Sequence, residues 1–386
     1  MIPPPPTMER SPLRLASLFF AALASFQAQA AVPPPVATID RSTWPETLSS
    51  PALFDVASRA EILMFAHILL QSEALDETAL ADRLDLRTVN LVAINELRQQ
   101  LWQRLWQNYN QAQQSCEQDA SFCFAVDSLD DLRTQANNFT VAPDSFYANW
   151  GAPARVFDQI YVDELLRKAA LSPQISSEVL KVSPDELNGS AFNDRVFLLT
   201  FDSGPSIAVG STEWVADFLR KQNINATFFV LGQNFAGRRE KGEPGSLTAL
   251  YKDQCVGVQG WQYRSHADWN DWEGSITRTT TVVENELPGN YVPLFRPPYG
   301  TRRPDAGVFL GTQQMKVALW DIDSQDSNSQ LTADESAQRV LTLMLLWRHG
   351  VIAFHDTQAK VQTALPWLLK QTAQAGIGWQ DCRQFQ

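Results

Sequence analysis

The chain has 386 residues, of which 44% are hydrophobic and 19% are charged, so it can bury a full core and is not disordered by composition. Its formal net charge of −12 at pH 7 argues against nucleic acid as the main partner, because binding to phosphates needs a basic face. At this length we expect two domains, or one large domain with an extension.

The first thirty residues have the pattern of a secretory signal peptide. Arg10 and Arg14 precede an apolar run over 15–26, and the A-Q-A sequence at 28–30 fits a small-x-small cleavage site. The run is too short to span a bilayer as a helix, which needs about 20 residues. We therefore predict a signal peptide over 1–30 and a periplasmic or secreted protein with no membrane span after cleavage.

A linker and a helical region are predicted next. Residues 31–45 begin with AVPPPV, which is typical of a Pro-rich linker. Over 46–190, apolar residues recur at spacings of three and four, which indicates amphipathic helices. We predict a helical domain here, and its residues point to no particular chemistry.

The four cysteines bear on the redox state of the protein. In an oxidising compartment they allow three pairings. Short separation favours Cys116 with Cys123, which leaves Cys255 to pair with Cys382. Four free buried thiols are the alternative.

From about residue 194, short β-branched or aromatic runs alternate with helical stretches. The predicted strands are 196–202, 226–232, 255–261, 294–296, 316–323 and 350–355. The predicted helices are 212–222, 276–287, 333–347 and 361–375. This alternation indicates βα units in a parallel sheet or barrel. Six or seven units in about 190 residues suit a barrel slightly smaller than the eight-stranded one.

Polar residues follow most of these strands. The sequences are TFDSGP at 200–205, GWQYRSH at 260–266, RPPYG at 296–300, WDIDSQD at 320–326 and FHD at 354–356. A single Asp or His at a strand end is more often structural than catalytic, but five such motifs in one barrel point to an active site. Because parallel strands present their carboxyl ends at one side, we expect Asp202, His266, Arg296, Asp326 and His355 to converge.

The order of these motifs resembles that of the polysaccharide deacetylase family, whose NodB-homology domain is a distorted (β/α)7 barrel. The resemblance covers about residues 194–382. It implies an α/β fold with such a barrel over 191–386, preceded by the all-α region. It also implies hydrolysis of acetyl groups on a carbohydrate, at a carbon–nitrogen bond or an ester. The implied partner is an acetylated polysaccharide or cell-envelope glycan.

The resemblance assigns catalytic roles to single residues. Asp202 holds the position of the general base, and Arg296 that of the residue that orients it. Tyr299 lies where a backbone N–H stabilises the oxyanion. His355 holds the position of the catalytic histidine, and Asp326 matches the aspartate of the fourth motif.

Hydrolysis of an amide or ester needs those same roles: a base for the water, a donor for the oxyanion and an acid for the leaving group. We expect Arg296 to hold Asp202 ionised. A carboxylate neighbour such as Asp326 should keep His355 protonated near neutral pH. Trp261, Trp269 and Pro298 near the groove are candidates for substrate binding, while Ser327 replaces the Trp that lines the family's acetyl pocket.

The metal site implied by the family is incomplete in this sequence. The family binds a divalent metal, zinc, through an aspartate and the two histidines of an H-x-x-x-H motif. Ser203, Gln262 and His266 occupy these positions. Zinc is held by deprotonated or imidazole donors, so we expect weak or absent binding, with His266 as the remaining ligand. Asp268 and Asp271 either replace the lost ligands or are loop and helix-cap residues.

Three functions stay open at this point. The first is a deacetylase-like hydrolase that works with an altered or metal-free site, and the retention of both Asp202 and His355 favours it. The second is a catalytically inactive barrel that binds glycan, which the lost metal ligands favour. The third is a helical module over 46–190 that docks to an envelope partner while the barrel serves as scaffold.

Overall fold

The structure, a computed structural model, describes residues 34–171 and 183–385 together with residues 1, 3 and 181. Residues 36–386 form one compact unit. The predicted signal peptide lies outside the described residues except at its first and third positions. Within the described ranges, no helix is both long enough and apolar enough to cross a membrane.

Five helices precede the first strand. They are α1 (Pro51–Glu73), α2 (Glu77–Arg83), α3 (Leu91–Ala112), α4 (Leu129–Asn138) and α5 (Ala148–Leu171). α1 begins after Ser50, whose hydroxyl accepts a hydrogen bond from the backbone N–H of Leu53. This helix is apolar on most sides, so it is stable only where neighbours cover it. It packs against α3, α4 and α5 and is the central helix of the layer.

A parallel sheet with surrounding helices follows. The strands are β1 (Val196–Gly204), β2 (Thr227–Val230), β3 (Cys255–Val258), β4 (Tyr291–Phe295), β5 (Lys316–Val317), β6 (Ile322–Asp323), β7 (Gly350–His355) and β8 (Gly378–Trp379). The helices are α6 (Ser211–Lys221), α7 (Gly232–Lys241), α8 (Ser246–Leu250), α9 (Trp272–Glu286), α10 (Ala306–Thr312), α11 (Ala333–Trp347) and α12 (Val361–Thr372).

The strand order is that of a barrel with one opening. Neighbouring strands run β5-β4-β3-β2-β1-β7-β6, all pairs are parallel, and β8 lies beside the start of β1. The sheet is open between β5 and β6. The predicted distorted seven-stranded barrel behind an all-α region is therefore confirmed. β1 is central and almost wholly buried, as its continuous apolar run VFLLTF requires.

The predicted strand over 316–323 is instead two short strands, β5 and β6. Between them the chain turns to other partners: Leu319 N–H donates to the carbonyl of Leu187, and Asp321 N–H donates to that of Val351. The Asp321 carboxylate in turn accepts from Gly189 N–H at 2.7 Å and Val351 N–H at 2.8 Å. These bonds interrupt the strand at the place where the barrel opens.

The helical layer packs directly on the barrel. α1 and α3 both contact α11. Arg348, which caps α11, is fully buried and pairs with Asp55 of α1 at 2.8 Å and with Asp194 at 2.7 Å. Separating the partners of a buried ion pair would leave an uncompensated buried charge, which strongly destabilises a protein. These contacts therefore hold the helices of the 46–190 region against the barrel.

The predicted Pro-rich linker over 31–45 needs a correction from residue 36 onward. Ala37, Ile39 and Trp44 are buried in the core. The backbone N–H of Ala37 also donates to the Glu164 carboxylate at 2.6 Å. These three apolar side chains pack into the core of the protein, so the segment from residue 36 to residue 45 is part of the fold and not a linker.

Both predicted disulfides are present. Cys116 pairs with Cys123 and Cys255 pairs with Cys382, each with a Cα–Cα distance of 6.0 Å. The second bond joins β3 to the segment after β8, across a sequence separation of 127 residues. A cross-link that closes a long loop restricts the unfolded chain and so stabilises the fold.

We expect titration of the denatured, unreduced protein to find no free thiol, because all four cysteines are paired. The same sample after reduction should give four thiols and serves as the control. Two or more thiols in freshly exported, unreduced protein would contradict this pairing.

Candidate active site

A cavity of about 390 Å³ lies at the carboxyl ends of the strands. Its lining residues are Lys168, Asp202, Tyr263, Tyr299, Trp320, Asp323, Gln325, Ser327, Ala353 and His355. β1 and β7 are neighbours, and their register places Asp202 opposite His355. A larger cavity of about 510 Å³ lies at the other end of these strands, among glutamines of α3 and residues that precede β1 and β7. The smaller cavity is the one that contains Asp202 and His355, the residues expected as base and acid.

Asp202 and Arg296 form a buried ion pair at one wall of the cavity. Arg296 is fully buried and donates from Nη1 to Asp202 Oδ1 at 2.9 Å and to Thr200 Oγ1 at 2.6 Å. Its other nitrogens donate to the carbonyls of Ala318 and Leu319. Four fixed acceptors hold the guanidinium in place, so it orients Asp202 as the sequence predicts.

The direction of the pKa shift of Asp202 differs from the simple expectation. Burial raises the pKa of this carboxyl above its usual value, against the lowering effects of Arg296 and His355. The free-energy cost of desolvating the Asp202 carboxylate is larger than the stabilisation that Arg296 provides. A raised pKa makes the carboxylate a stronger base than an exposed aspartate.

His355 and Asp326 form the second charged pair. The ring Nδ1 of His355 lies 2.7 Å from Asp326 Oδ1, and the His355 backbone N–H donates to Asp326 Oδ2 at 2.9 Å. Burial lowers the pKa of His355, but the hydrogen bond and charge of Asp326 outweigh it and raise the pKa to about 9. The imidazolium expected from the sequence is thus favoured at neutral pH, with Nε2 as the nitrogen not bound to Asp326.

Tyr299 and Tyr263 lie together at the cavity mouth. Tyr299 has φ of 59°, a left-handed conformation that is uncommon for a residue other than glycine. Its ring lies 4.6 Å from that of Tyr263, edge to face. Tyr263 follows β3 in the loop and was not among the residues predicted for the site. Burial raises the pKa of the Tyr263 hydroxyl, and the backbone N–H of Tyr299 lies near enough to lower it in part.

Ser203, at one of the expected ligand positions, bonds to a neutral residue. Ser203 follows Asp202, and its hydroxyl donates to Gln259 Oε1 at 3.1 Å. Gln259 is buried, whereas Gln262 is exposed. The structure therefore brings Gln259, and not the predicted Gln262, into contact with Ser203. β3 ends at Val258, so the next residue reaches the site and residue 262 belongs to the loop.

His266 does not reach the cavity. It is buried, with Nδ1 2.8 Å from the carbonyl oxygen of Arg264 and Nε2 3.0 Å from Ser275 Oγ. Burial lowers its pKa to about 4. The partner of Nδ1 lies in the loop and that of Nε2 lies on α9, so the structure gives His266 a structural role and does not support its predicted role as a metal ligand. Among the residues expected to converge, it does not line the cavity with Asp202 and His355.

The residues of this chain do not fit the metal that the family implies. Among the described residues, no three His, Cys, Asp or Glu side chains are placed to hold an ion. Asp271 pairs with Arg278 at 2.8 Å and precedes α9, so it is a residue of the helix start. Asp268 is exposed. The donors at the expected position are a hydroxyl and an amide, which bind zinc poorly.

The three predicted substrate-binding residues lie outside the cavity lining. Trp261 lines a separate groove of about 410 Å³ beside α7. Trp269 packs on the ring of His266, and Pro298 is buried beneath the turn of Tyr299. Aromatic platforms at the site come instead from Tyr263, Tyr299 and Trp320.

Two charged residues of the lining were not predicted from the sequence. Asp323 lies within the fourth motif, three residues before Asp326, and this spacing was a signal that could have pointed to it. Lys168 comes from α5 of the helical layer, and nothing in its sequence marks it. The buried pair of Glu164 and Arg339, at 2.8 Å, holds α5 one turn before Lys168.

The sequence is similar to a known protein family and to several characterised proteins. The sequence model of a family described as polysaccharide deacetylase matches residues 189–316. The chain is 30% identical over 175 residues to the peptidoglycan-N-acetylmuramic acid deacetylase of Bacillus subtilis, which is 44% of this chain and 35% of that protein. It is 28% identical over 189 residues to a bifunctional xylanase/deacetylase of Pseudobutyrivibrio xylanivorans, which is 46% of this chain and 28% of that protein. The chain thus spans about a third of the length of these curated relatives.

Among solved structures, a CE4 family pseudoenzyme from Bacillus anthracis aligns with a TM-score of 0.46 at 18% identity. The alignment covers 53% of this chain and 69% of that one.

Proposed function

Because this chain belongs to the polysaccharide deacetylase family, we propose that it is an exported hydrolase that removes acetyl groups from a carbohydrate. The observation that carries the proposal is the convergence of two charged pairs on one cavity. Asp202 with Arg296 supplies an oriented carboxylate, and His355 with Asp326 supplies a charged imidazole. A site that only bound glycan would need neither pair.

The proposed reaction uses these groups as base and acid. Asp202 takes a proton from a water that attacks the acetyl carbon. His355 gives a proton to the nitrogen or oxygen that leaves, and the products are acetate and a free amine or hydroxyl. The acid must be protonated while the base is ionised. Burial lowers the pKa of His355, but Asp326 raises it to about 9, which favours the protonated acid. Burial raises the pKa of Asp202, so its ionised form is the stronger base.

No step of this proposal passes through a metal, because Ser203 and Gln259 offer no charged donor. The acetyl group is carried by an amide or an ester, and protonation of the leaving atom serves both. The substrate we propose is an acetylated polysaccharide or cell-envelope glycan, met after export under the signal peptide predicted over 1–30. The periplasm or the exterior is the proposed location.

In this proposal the helical region over 46–190 helps to form the substrate site. α5 contributes Lys168 to the lining of the cavity. The region is bound to the barrel by buried ion pairs rather than by a few surface contacts. These contacts support a role in building the substrate site more than a role as a separate docking module.

A second function has one observation in its favour. The hydrogen bond between Ser203 and Gln259 fills the place of two metal ligands with a satisfied neutral pair. A barrel that has lost catalysis and kept its groove for glycan binding would show such a replacement. Acetate release from acetylated chitooligosaccharides and acetylated xylan separates the two functions.

We expect kcat/KM for this release to be bell-shaped in pH. The base is lost as pH falls through the pKa of Asp202, which burial raises above its usual value despite Arg296 and His355. The acid is present below about pH 9 and lost above it: burial lowers the pKa of His355, but Asp326 raises it to about 9. The profile of kcat/KM reports these groups in the free enzyme.

The Asp326→Asn variant sharpens this test. It removes the carboxylate that raises the pKa of His355, so burial dominates and the alkaline limb should move down by roughly one pH unit or more. Exposed Asp334, in the first turn of α11, gives the matched control Asp334→Asn. An alkaline limb that stays at its wild-type position in Asp326→Asn would contradict the assignment of His355 as the acid.

A further inference from the structure

The loop after β3 places a phenol in the candidate site. Tyr263 lines the same cavity as Asp202 and His355. Its ring is held edge to face against Tyr299 at 4.6 Å. Tyr263 lies where the loop crosses the site, four residues after Gln259, and Gln259 and Ser203 are already bonded to each other. The phenol is therefore the polar group of this loop that faces the reaction space.

Hydrolysis at this site lacks one component. As water adds to an acetyl carbon, the carbonyl oxygen gains negative charge, and a fixed donor or cation must stabilise it. Ser203 and Gln259 offer no carboxylate, thiolate or imidazole donor for zinc. The backbone N–H at Tyr299, expected as the oxyanion donor, lies near the hydroxyl of Tyr263.

A phenol can accept one hydrogen bond and donate another. With the Tyr299 N–H near its oxygen, Tyr263 keeps its own proton for an acceptor in the cavity. The nearby N–H also draws charge from the phenol oxygen and so strengthens the O–H as a donor.

On the basis of the proposed hydrolase function, we propose that Tyr263 is a catalytic residue whose hydroxyl donates to the acetyl carbonyl oxygen in the place of a metal. Water oxygen bonds to the acetyl carbon while its proton passes to Asp202. The oxyanion is held by the Tyr263 O–H. The bond to the leaving nitrogen or oxygen then breaks as His355 protonates that atom, and Tyr263 keeps its proton throughout.

The surroundings of Tyr263 keep it protonated. Burial raises the pKa of its hydroxyl, and the charges of Asp202 and Asp323 add to this, against the smaller lowering effect of the Tyr299 backbone. The donor therefore remains available across the range where Asp202 is ionised and His355 is charged.

The test compares Tyr263→Phe with the wild type in acetate release under chelating conditions. Loss of one oxyanion donor costs about 10²–10³ in kcat, so we expect a fall of that size with KM little changed. Tyr291→Phe is the matched control: its hydroxyl lies near Thr280 at the amino end of β4, away from the cavity. Its activity should stay at the wild-type level, and both variants should unfold at the wild-type temperature.

Three outcomes would overturn the proposal. Tyr263→Phe with wild-type kcat would show that the hydroxyl takes no part. A gain of activity in Tyr263→Phe or Tyr263→Ala would show that the side chain obstructs the site. A wild-type activity that requires added metal would show that the metal, and not Tyr263, stabilises the oxyanion. Absence of acetate release by the wild type would instead overturn the hydrolase function on which the proposal depends.

Discussion

Replacement of Asp202 by Asn, or of His355 by Ala, should each lower acetate release by about 10²–10⁴-fold, the usual cost of losing a general base or acid. The Asn side chain keeps an oxygen that can accept from Arg296 but cannot take a proton from water. The Ala side chain removes the imidazole, whose pKa burial lowers but Asp326 raises to about 9. The measurement is the initial rate on an acetylated oligosaccharide.

The structure defines the controls for this pair. Asp202→Asn leaves the buried Arg296 charge without its carboxylate, and an unpaired buried charge destabilises a protein. Thermal unfolding of each variant therefore accompanies the rates. Exposed Asp334→Asn should keep full activity. Acetate release by the double variant should be only a little slower than release by the slower of the two single variants, because the base and the acid act in the same reaction. Unchanged rates in both single variants would favour the glycan-binding function.

A two-residue change should create a zinc site where the wild type has none. Ser203→Asp with Gln259→His puts a carboxylate and an imidazole where the Ser203 hydroxyl and the Gln259 amide now meet at 3.1 Å. Structural zinc sites with four ligands bind with roughly 10–16 kcal/mol. Each ligand then accounts for about 100-fold, so we expect an affinity about 10⁴-fold above that of the wild type, measured by calorimetric titration.

The control for this change is Ser203→Asp with Gln262→His. Gln262 is exposed in the loop, so an imidazole there cannot join the new carboxylate. This variant should bind zinc about 100-fold more weakly than the first. Equal affinities would mean that the loop rearranges to bring residue 262 to the site. Tight binding by the wild type would mean that another residue completes a site with Asp202.

The parts of the fold that could be predicted have a local cause. β1 and β7 are apolar runs bounded by polar residues, and their carboxyl ends must lie side by side once both join one parallel sheet. Asp202 and His355 follow from that alone. Arg296 and Asp326 follow from the same rule, because Arg296 lies directly after β4 and Asp326 lies three residues after β6.

The errors lie in the loop after β3. The sequence predicts a strand over 255–261, because Trp261 continues the β-like pattern past Val258. The structure ends the strand at Val258, and Gln259 is the residue that bonds to Ser203. The four-residue spacing between Gln262 and His266 could not show that the histidine bonds to Arg264 in the loop and to Ser275 on α9.

Lys168 shows a different limit. It lies about 34 residues before Asp202 in the sequence, on a helix of another region. It reaches the cavity because Glu164 and Arg339 fix α5 on the barrel. That contact depends on tertiary packing, which no local pattern contains. The same holds for Ala37, Ile39 and Trp44, whose burial depends on a surface that other helices provide.

The central claim is that this barrel hydrolyses an acetyl group with its own side chains and without a metal. Its most direct test is acetate release from an acetylated chitooligosaccharide by the purified chain in excess chelator, with Asp202→Asn in parallel. We expect the wild type to release acetate at the same rate with and without chelator, and the variant to be slower by about 10²–10⁴-fold. Release by the wild type no faster than by Asp202→Asn, or release that stops on chelation, would contradict the claim.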